Sequence, residues 1–131
     1  MEVAAILHDI GRFIRPSSHH KHSQYLIQNI ELVGLTNSEL KLISLIARYH
    51  EGLTPSEKHT DFQKLSPKNK TIVRNLVAIL RVADALDREH KEQVHSVMVR
   101  LESSRVLLIP SGDHDQLLAK WAVNNNKFLF E

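Results

Sequence analysis

The chain has 131 residues, with 17 Lys and Arg against 15 Asp and Glu, a net charge of +2. The basic residues are scattered and aromatics are only 5%, so an interleaved basic and aromatic face for a nucleic acid is not supported and no specific nucleic acid is expected. The absence of Cys excludes disulfides, thiolate zinc sites, iron–sulfur clusters and thiol catalysis, whereas nine His direct attention to a metal held by nitrogen and oxygen ligands.

Hydrophobic residues at 42% and charged residues at 24% fit one soluble domain, or one domain with a small appendage. No apolar run approaches the roughly 20 residues needed to cross a bilayer. No secretory signal is visible, because Glu2 and His8-Asp9 interrupt the apolar start. The cytoplasm is therefore the expected compartment.

In chain order, Val3 to Ile10 predicts the C-terminal part of a buried helix ended by Gly11. A domain opening inside such a helix points to further chain upstream. Arg15-Pro16-Ser17-Ser18 is a loop signal. A helix from about His20 to Glu31 follows, with Tyr25, Leu26 and Ile30 on one side and Gly34 closing it. Thr36-Asn37-Ser38-Glu39 has the form of a capping box. The helix it opens carries Leu40, Ile43, Ile46, Ala47 and His50 at helical spacing.

Glu51 to Leu65 is polar, with Gly52 and Pro55, and reads as a loop or short irregular turns. Ser66-Pro67 is an N-cap followed by Pro at the first helical position. The long helix it starts runs to about Glu89, with Ile72, Val73, Leu76, Ile79, Leu80, Ala83, Asp84 and Asp87 along one stripe. After His90 the period changes to two. Val97, Val99 and Leu101 alternate with Ser96, Met98 and Arg100, Glu102-Ser103-Ser104 is a hairpin turn, and Arg105 to Ile109 is a second strand ended by Pro110. A helix bearing Leu117, Leu118, Trp121 and Ala122 and a final strand over Lys127 to Phe130 complete the tail. A boundary near residue 92 separates a helical domain, 1–92, from a small α+β extension, 93–131.

Several polar residues stand where their helices should face the core: His8-Asp9, the cluster His19-His20-Lys21-His22, His50 and Asp84. A buried carboxylate without a partner costs several kcal/mol. Asp84 has two readings, an ion pair with Arg81 or Arg88 on its own helix, or a metal ligand. His50 is a satisfied core histidine or a ligand. One bound cation would neutralise all of these groups, and their mixed imidazole and carboxylate set suits Mn, Fe, Zn, Ni or Mg without selecting among them. His59, His90, His95 and His114 read as surface residues. Lys68 to Arg74 reads as a solvated helix start that a polyphosphate could also use.

Leu7-His8-Asp9-Ile10-Gly11, the second His cluster, Arg48-Tyr49-His50-Glu51-Gly52 and Arg81-Val82-Ala83-Asp84-Ala85-Leu86-Asp87 together resemble the HD superfamily of metal-dependent phosphohydrolases. His19 to Ile27 and Ile46 to His50 are closer still to the C-terminal HD part of the exopolyphosphatase and guanosine pentaphosphate phosphohydrolase family. The resemblance implies a mainly α fold, an HD-type helical bundle followed by a small α+β tail. It makes His8 and Asp9 metal ligands, with Asp84 closing the site. His22 corresponds best to the His of the next helix, with His19 and His20 as its neighbours, and His50 to the one after. Arg48 is then a phosphate contact. Glu51 is a partner of the ligands or a general base, and Asp9 also serves the chemistry.

The family pattern further uses a His from a helix before the His-Asp pair, and here His8 is the first His, so one metal position lacks that ligand. In the longer family enzymes, polyphosphate is split by an N-terminal domain with phosphate-binding glycine loops. None of the four glycines, Gly11, Gly34, Gly52 and Gly112, belongs to such a loop. The implied function is a metal-dependent phosphohydrolase acting on a phosphate-containing small molecule or polyphosphate, with no membrane partner and a homodimer as the expected state. The alternative is a non-catalytic HD module serving dimerisation or polyphosphate binding in a larger exopolyphosphatase-like protein.

Overall fold

A computed structural model describes residues 1–87, 91, 94–103, 106–112 and 123–124. The described chain is mainly helical with a small β part. It comprises α1 (Glu2–Leu7), a 3-10 turn (Ile10–Phe13), α2 (His19–Gln28), α3 (Asn37–Tyr49), α4 (Thr60–Gln63), α5 (Pro67–Leu86), β1 (Val94–Leu101) and β2 (Val106–Gly112). The expected tail helix through Trp121 and the strand over 127–130 lie outside the described residues, as do His90, His114 and Arg88.

Local chemistry fixes the two longest helices. Thr36 accepts a hydrogen bond from the Glu39 amide and Glu39 accepts from the Thr36 amide, so the predicted capping box satisfies two donors at the start of α3. The Ser66 side chain accepts from the Asn69 amide, and Pro67 occupies the first turn of α5, where no amide is required.

Helix α3 sits between two apolar groups. On one side Leu45, Ile46 and Tyr49 pack with Ala4 of α1, Phe62 of α4 and Val73, Val77 and Leu80 of α5. On the other, Leu40 and Ala47 pack with Ile27 of α2, flanked by Leu7 and Ile10. The segment 51–65 is more ordered than its polarity predicts. It contains the single turn α4, whose Phe62 is fully buried.

Other boundaries shift for physical reasons. The first helix ends at Leu7, and Gly11 lies inside the 3-10 turn and does not end α1. Only Ala4 of α1 is buried, and Ile6 is 71% exposed, so this is not the buried helix that the apolar run predicts. Gly11 is required by a close approach. Its amide donates to Ser23 Oγ at 2.9 Å, and an added Cβ would overlap the His19 carbonyl oxygen and the Ser23 amide nitrogen.

Helix α2 begins at His19 and stops at Gln28, leaving Gly34 in the following loop. Its buried face is His19, Ser23 and Ile27, while Tyr25 and Ile30 are exposed. On α5 the buried set is likewise rotated, with Arg81 inside and Ile79 and Ala83 exposed.

The two strands form an antiparallel hairpin in which Leu101 pairs with Val106, in accord with the turn read at 102–104. β2 does not end at Pro110. It continues to Gly112, with Pro110 opposite Val97, which the two-stranded ribbon formed by the described residues allows because each of its strands has an unpaired edge. No helix among the described residues is long and apolar enough to cross a membrane.

Candidate metal centre

The end of α1, the start of α2, the end of α3 and the last turns of α5 bring five side chains together. His19 Nε2 lies 2.9 Å from Asp9 Oδ1 and 3.0 Å from His50 Nε2. His50 Nε2 is 3.4 Å from the same Asp9 oxygen. His8 Nε2 is 3.8 Å from Asp9 Oδ1 and 3.6 Å from Asp84 Oδ1. His19 and His50 are buried, at 3% and 4% exposure. The His8 and His50 rings meet edge to face at 4.8 Å.

The backbone settles which nitrogen of each ring carries a proton. His8 Nδ1 is 2.6 Å from the Ala5 carbonyl, His19 Nδ1 is 3.1 Å from the Pro16 carbonyl, and His50 Nδ1 is 2.6 Å from the Ala47 carbonyl. A carbonyl only accepts, so in each neutral ring Nδ1 bears the hydrogen and Nε2 presents a lone pair. Three such lone pairs are turned toward Asp9 Oδ1. His8 Nε2 is buried and makes no hydrogen bond. Lone pairs gathered at these distances repel one another, and a cation removes the repulsion. Metal-bound imidazoles typically have this arrangement, the outer N–H held by a carbonyl. An ion about 2.1 Å from each ligand, with ligands at right angles, sets neighbouring ligand atoms about 3.0 Å apart. The closest pairs match that spacing.

Neighbouring groups tune the cluster. Arg12 Nε lies 2.6 Å from Asp9 Oδ2, which occupies the outer oxygen and leaves Oδ1 facing the rings. Burial opposes charge on His8, but Asp84, the Ala5 carbonyl and Asp9 together outweigh it and raise its pKa above the usual imidazole value. Burial, aided by the charge of His8, pulls His50 below that value despite the Ala47 carbonyl. His20 is lowered to about 4 by burial and then by the Arg48 charge.

Of the residues singled out from sequence, His8, Asp9, His50 and Asp84 are in the cluster. The two triplets whose ligand atoms gather closely enough to hold a metal are His8, Asp9 and His50, and His19, His50 and Glu51. Asp84 approaches the first through His8, whereas His22 is part-exposed and in neither, and it is His19 of α2 that lies beside Asp9 and His50. Glu51 Oε2 is 3.6 Å from His19 Nδ1, the outer nitrogen, and 3.8 Å from His20 Nδ1. That position suits a partner of the ligand ring better than a general base at its inner edge. Arg48, also part-buried, keeps a buried Nη1 with no hydrogen bond.

Two residues have roles that the sequence alone does not reveal. Ser18, with φ of 59° directly before His19, turns the chain into α2. Arg81, buried at 2% exposure, is one of the two partners considered for Asp84. It donates to the carbonyls of Tyr49 at 2.8 Å, Gly52 at 3.1 Å and Leu53 at 2.8 Å. His59 is no simple surface residue either, since its Nδ1 is 2.8 Å from the Tyr49 hydroxyl and its ring stacks on that of Tyr49.

The family model for Ppx/GppA phosphatase, domain III, matches residues 1–127. This chain belongs to the Ppx/GppA phosphatase domain III family. Curated relatives bear the name guanosine-5'-triphosphate,3'-diphosphate pyrophosphatase. The one from Vibrio vulnificus is 31% identical over 128 residues, 95% of this chain and 23% of its own length. The one from Photobacterium profundum is 31% identical over 116 residues, 86% of this chain and 22% of its own. That from Pseudoalteromonas translucida is 30% identical over 94 residues, 72% and 18% respectively. The Ppx/GppA domain III chain thus spans about a fifth of the length of the curated relatives it matches.

Proposed function

We propose that this chain is the HD-type unit of a phosphohydrolase, in which His8, Asp9, His19, His50 and Asp84 hold a divalent cation. The observation that carries the reading is the turning of three Nε2 lone pairs onto Asp9 Oδ1, each ring having spent its N–H on a backbone carbonyl. The donor set suits Mn, Fe, Ni, Zn or Mg. The ion, when bound, supplies an activated water and stabilises charge on a phosphoryl oxygen.

The remaining work falls to the chain's own groups. The Ala5, Pro16 and Ala47 carbonyls fix the ring tautomers. Arg12 aims Asp9, and Glu51 steadies the outer edge of His19. Arg48 offers a cation to the substrate phosphate. The substrate is a phosphate-containing small molecule or polyphosphate, in keeping with the nucleotide pyrophosphatase name of the relatives. On this reading the helical domain, 1–92, carries the site, and 93–131 is its small C-terminal extension.

A second reading, a non-catalytic module for dimerisation or polyphosphate binding in a longer protein, is favoured by the fifth of the relatives' length that this chain spans. Hydrolysis of a generic phosphodiester and of nucleotides with added Mn or Ni separates the two. The enzyme reading expects slow turnover abolished by Asp9→Ala, with little phosphate released from polyphosphate. Robust polyphosphate cleavage that survives Asp9→Ala would overturn it.

A further inference from the structure

Several cations among the described residues have partners. Arg12 meets Asp9, Lys70 and Arg74 meet Glu57, and Arg81 is spent on three carbonyls. Arg48, in the last turn of α3, is different. Its Nη1 is buried without a hydrogen bond, and no carboxylate among the described residues lies within ion-pair distance. A part-buried guanidinium has lost some of its hydration, and an unmatched charge in that position is costly unless an anion meets it.

A second buried nitrogen without a hydrogen bond lies at the same corner, near enough for the Arg48 charge to act on its ring. His20 Nδ1 is buried and makes no hydrogen bond, its nearest carboxylate being Glu51 at 3.8 Å. The His20 ring is 5.8 Å from the ring of His19, so this corner adjoins the metal cluster. Gly52, with φ of 76°, leaves the corner open. A Cβ built there would have His20 Cε1, at 4.0 Å, as its nearest neighbour. Glu51 faces His20 and the outer nitrogen of His19, and it lies beyond ion-pair distance of Arg48.

We infer that Arg48 and His20 form an anion subsite beside the metal cluster that takes a phosphoryl oxyanion. A guanidinium fork and an imidazole N–H match the several acceptor oxygens of a phosphoryl group. The inference rests on the phosphohydrolase reading for its choice of anion. It adds to that reading a place for a phosphoryl group that the metal cluster does not itself hold, and so a preference for substrates with adjacent phosphoryl groups.

Inorganic pyrophosphate is the probe, titrated calorimetrically into the full chain in EDTA and again after loading with Mn. Wild type should bind in both conditions. Arg48→Met should weaken binding roughly tenfold or more in EDTA, where no metal contributes. Arg48→Lys should fall between, because Lys keeps the charge and loses the fork. His20→Asn should also weaken binding. These two carry the test if Arg48→Met fails to fold. Pyrophosphate binding by Arg48→Met at wild-type affinity, or no binding by wild type in EDTA, would overturn the subsite. Elemental analysis of the same samples keeps the two readings apart. Wild type without Mn after loading, yet still binding pyrophosphate in EDTA, removes the metal centre and leaves the subsite standing.

Discussion

The guanidinium of Arg81 on α5 donates through Nε to the backbone carbonyl of Tyr49 on α3, at 2.8 Å across 32 positions of sequence. Its Nη2 reaches the carbonyls of Gly52 and Leu53. The last carbonyls of a helix have no partner within it, and here a side chain from another helix supplies one. Asp84 follows Arg81 by about one turn of α5, and His50 follows Tyr49 directly. One buried side chain therefore holds together the two helices that contribute His50 and Asp84.

Arg81→Met should destabilise the chain by roughly 2–4 kcal/mol, because it strands buried carbonyls as well as removing charged hydrogen bonds. Urea denaturation measures the loss. Arg81→Lys should recover part of it. An Arg81→Met chain as stable as wild type would show that the strap carries little.

Gly11→Ala should cost roughly 1–3 kcal/mol, since the added methyl meets the α2 backbone, which cannot give way as a flexible side chain would. Ser23→Ala removes only the hydroxyl that accepts from the Gly11 amide and should cost about 1 kcal/mol. Thermal melts of the two variants test the order. Ser23→Ala proving the more damaging would mean that the hydrogen bond, and not the close approach, joins the turn to α2.

His19→Ala and Asp84→Ala should each abolish stoichiometric metal in protein purified without chelator and supplemented with Mn, Fe, Ni or Zn. His22→Ala should retain it. Elemental analysis decides, and loss of metal in His22→Ala alone would place the ligand one helical turn away from where the geometry sets it.

Metal affinity should fall with acidification, beginning above the usual imidazole pKa and continuing through it, because a protonated imidazole cannot ligate. The raised pKa of His8 fixes the sign. Without metal, the charged His8–Asp84 pair stabilises the fold fully below the unfolded imidazole pKa, and that contribution is lost as pH rises through the folded one. Acid therefore favours the protonated, metal-free site. Titration of Mn at several pH values checks this, and an affinity that rises toward acid contradicts it.

The capping signals at Thr36-Glu39 and Ser66-Pro67 were legible because a helix start is decided by a few adjacent residues. His8-Asp9, His50 and Asp84 were legible as polar groups interrupting apolar stripes. The choice among His19, His20 and His22 was not, because it depends on helix phase. The apolar residues Tyr25, Leu26 and Ile30 suggest one face for α2, whereas the buried one is His19, Ser23 and Ile27. Two polar residues on the inner face disguise it. The contacts of Arg81 with α3 were hidden for a related reason. Its position beside Asp84 suggests an ion pair, and only the fold brings the end of α3 within its reach.

The hydrogen bonds that orient the three rings run to the carbonyls of Ala5, Pro16 and Ala47, each three positions before its histidine. Those acceptors belong to the main chain, so the amino-acid alphabet cannot delete them. A saturation scan would record Ala5 and Ala47 as ordinary small residues and miss what they contribute. Reaching that layer takes a change of bond chemistry. An amide-to-ester exchange immediately after Ala5, Pro16 or Ala47 would weaken that carbonyl as an acceptor and remove the next residue's N–H, while leaving every side chain in place.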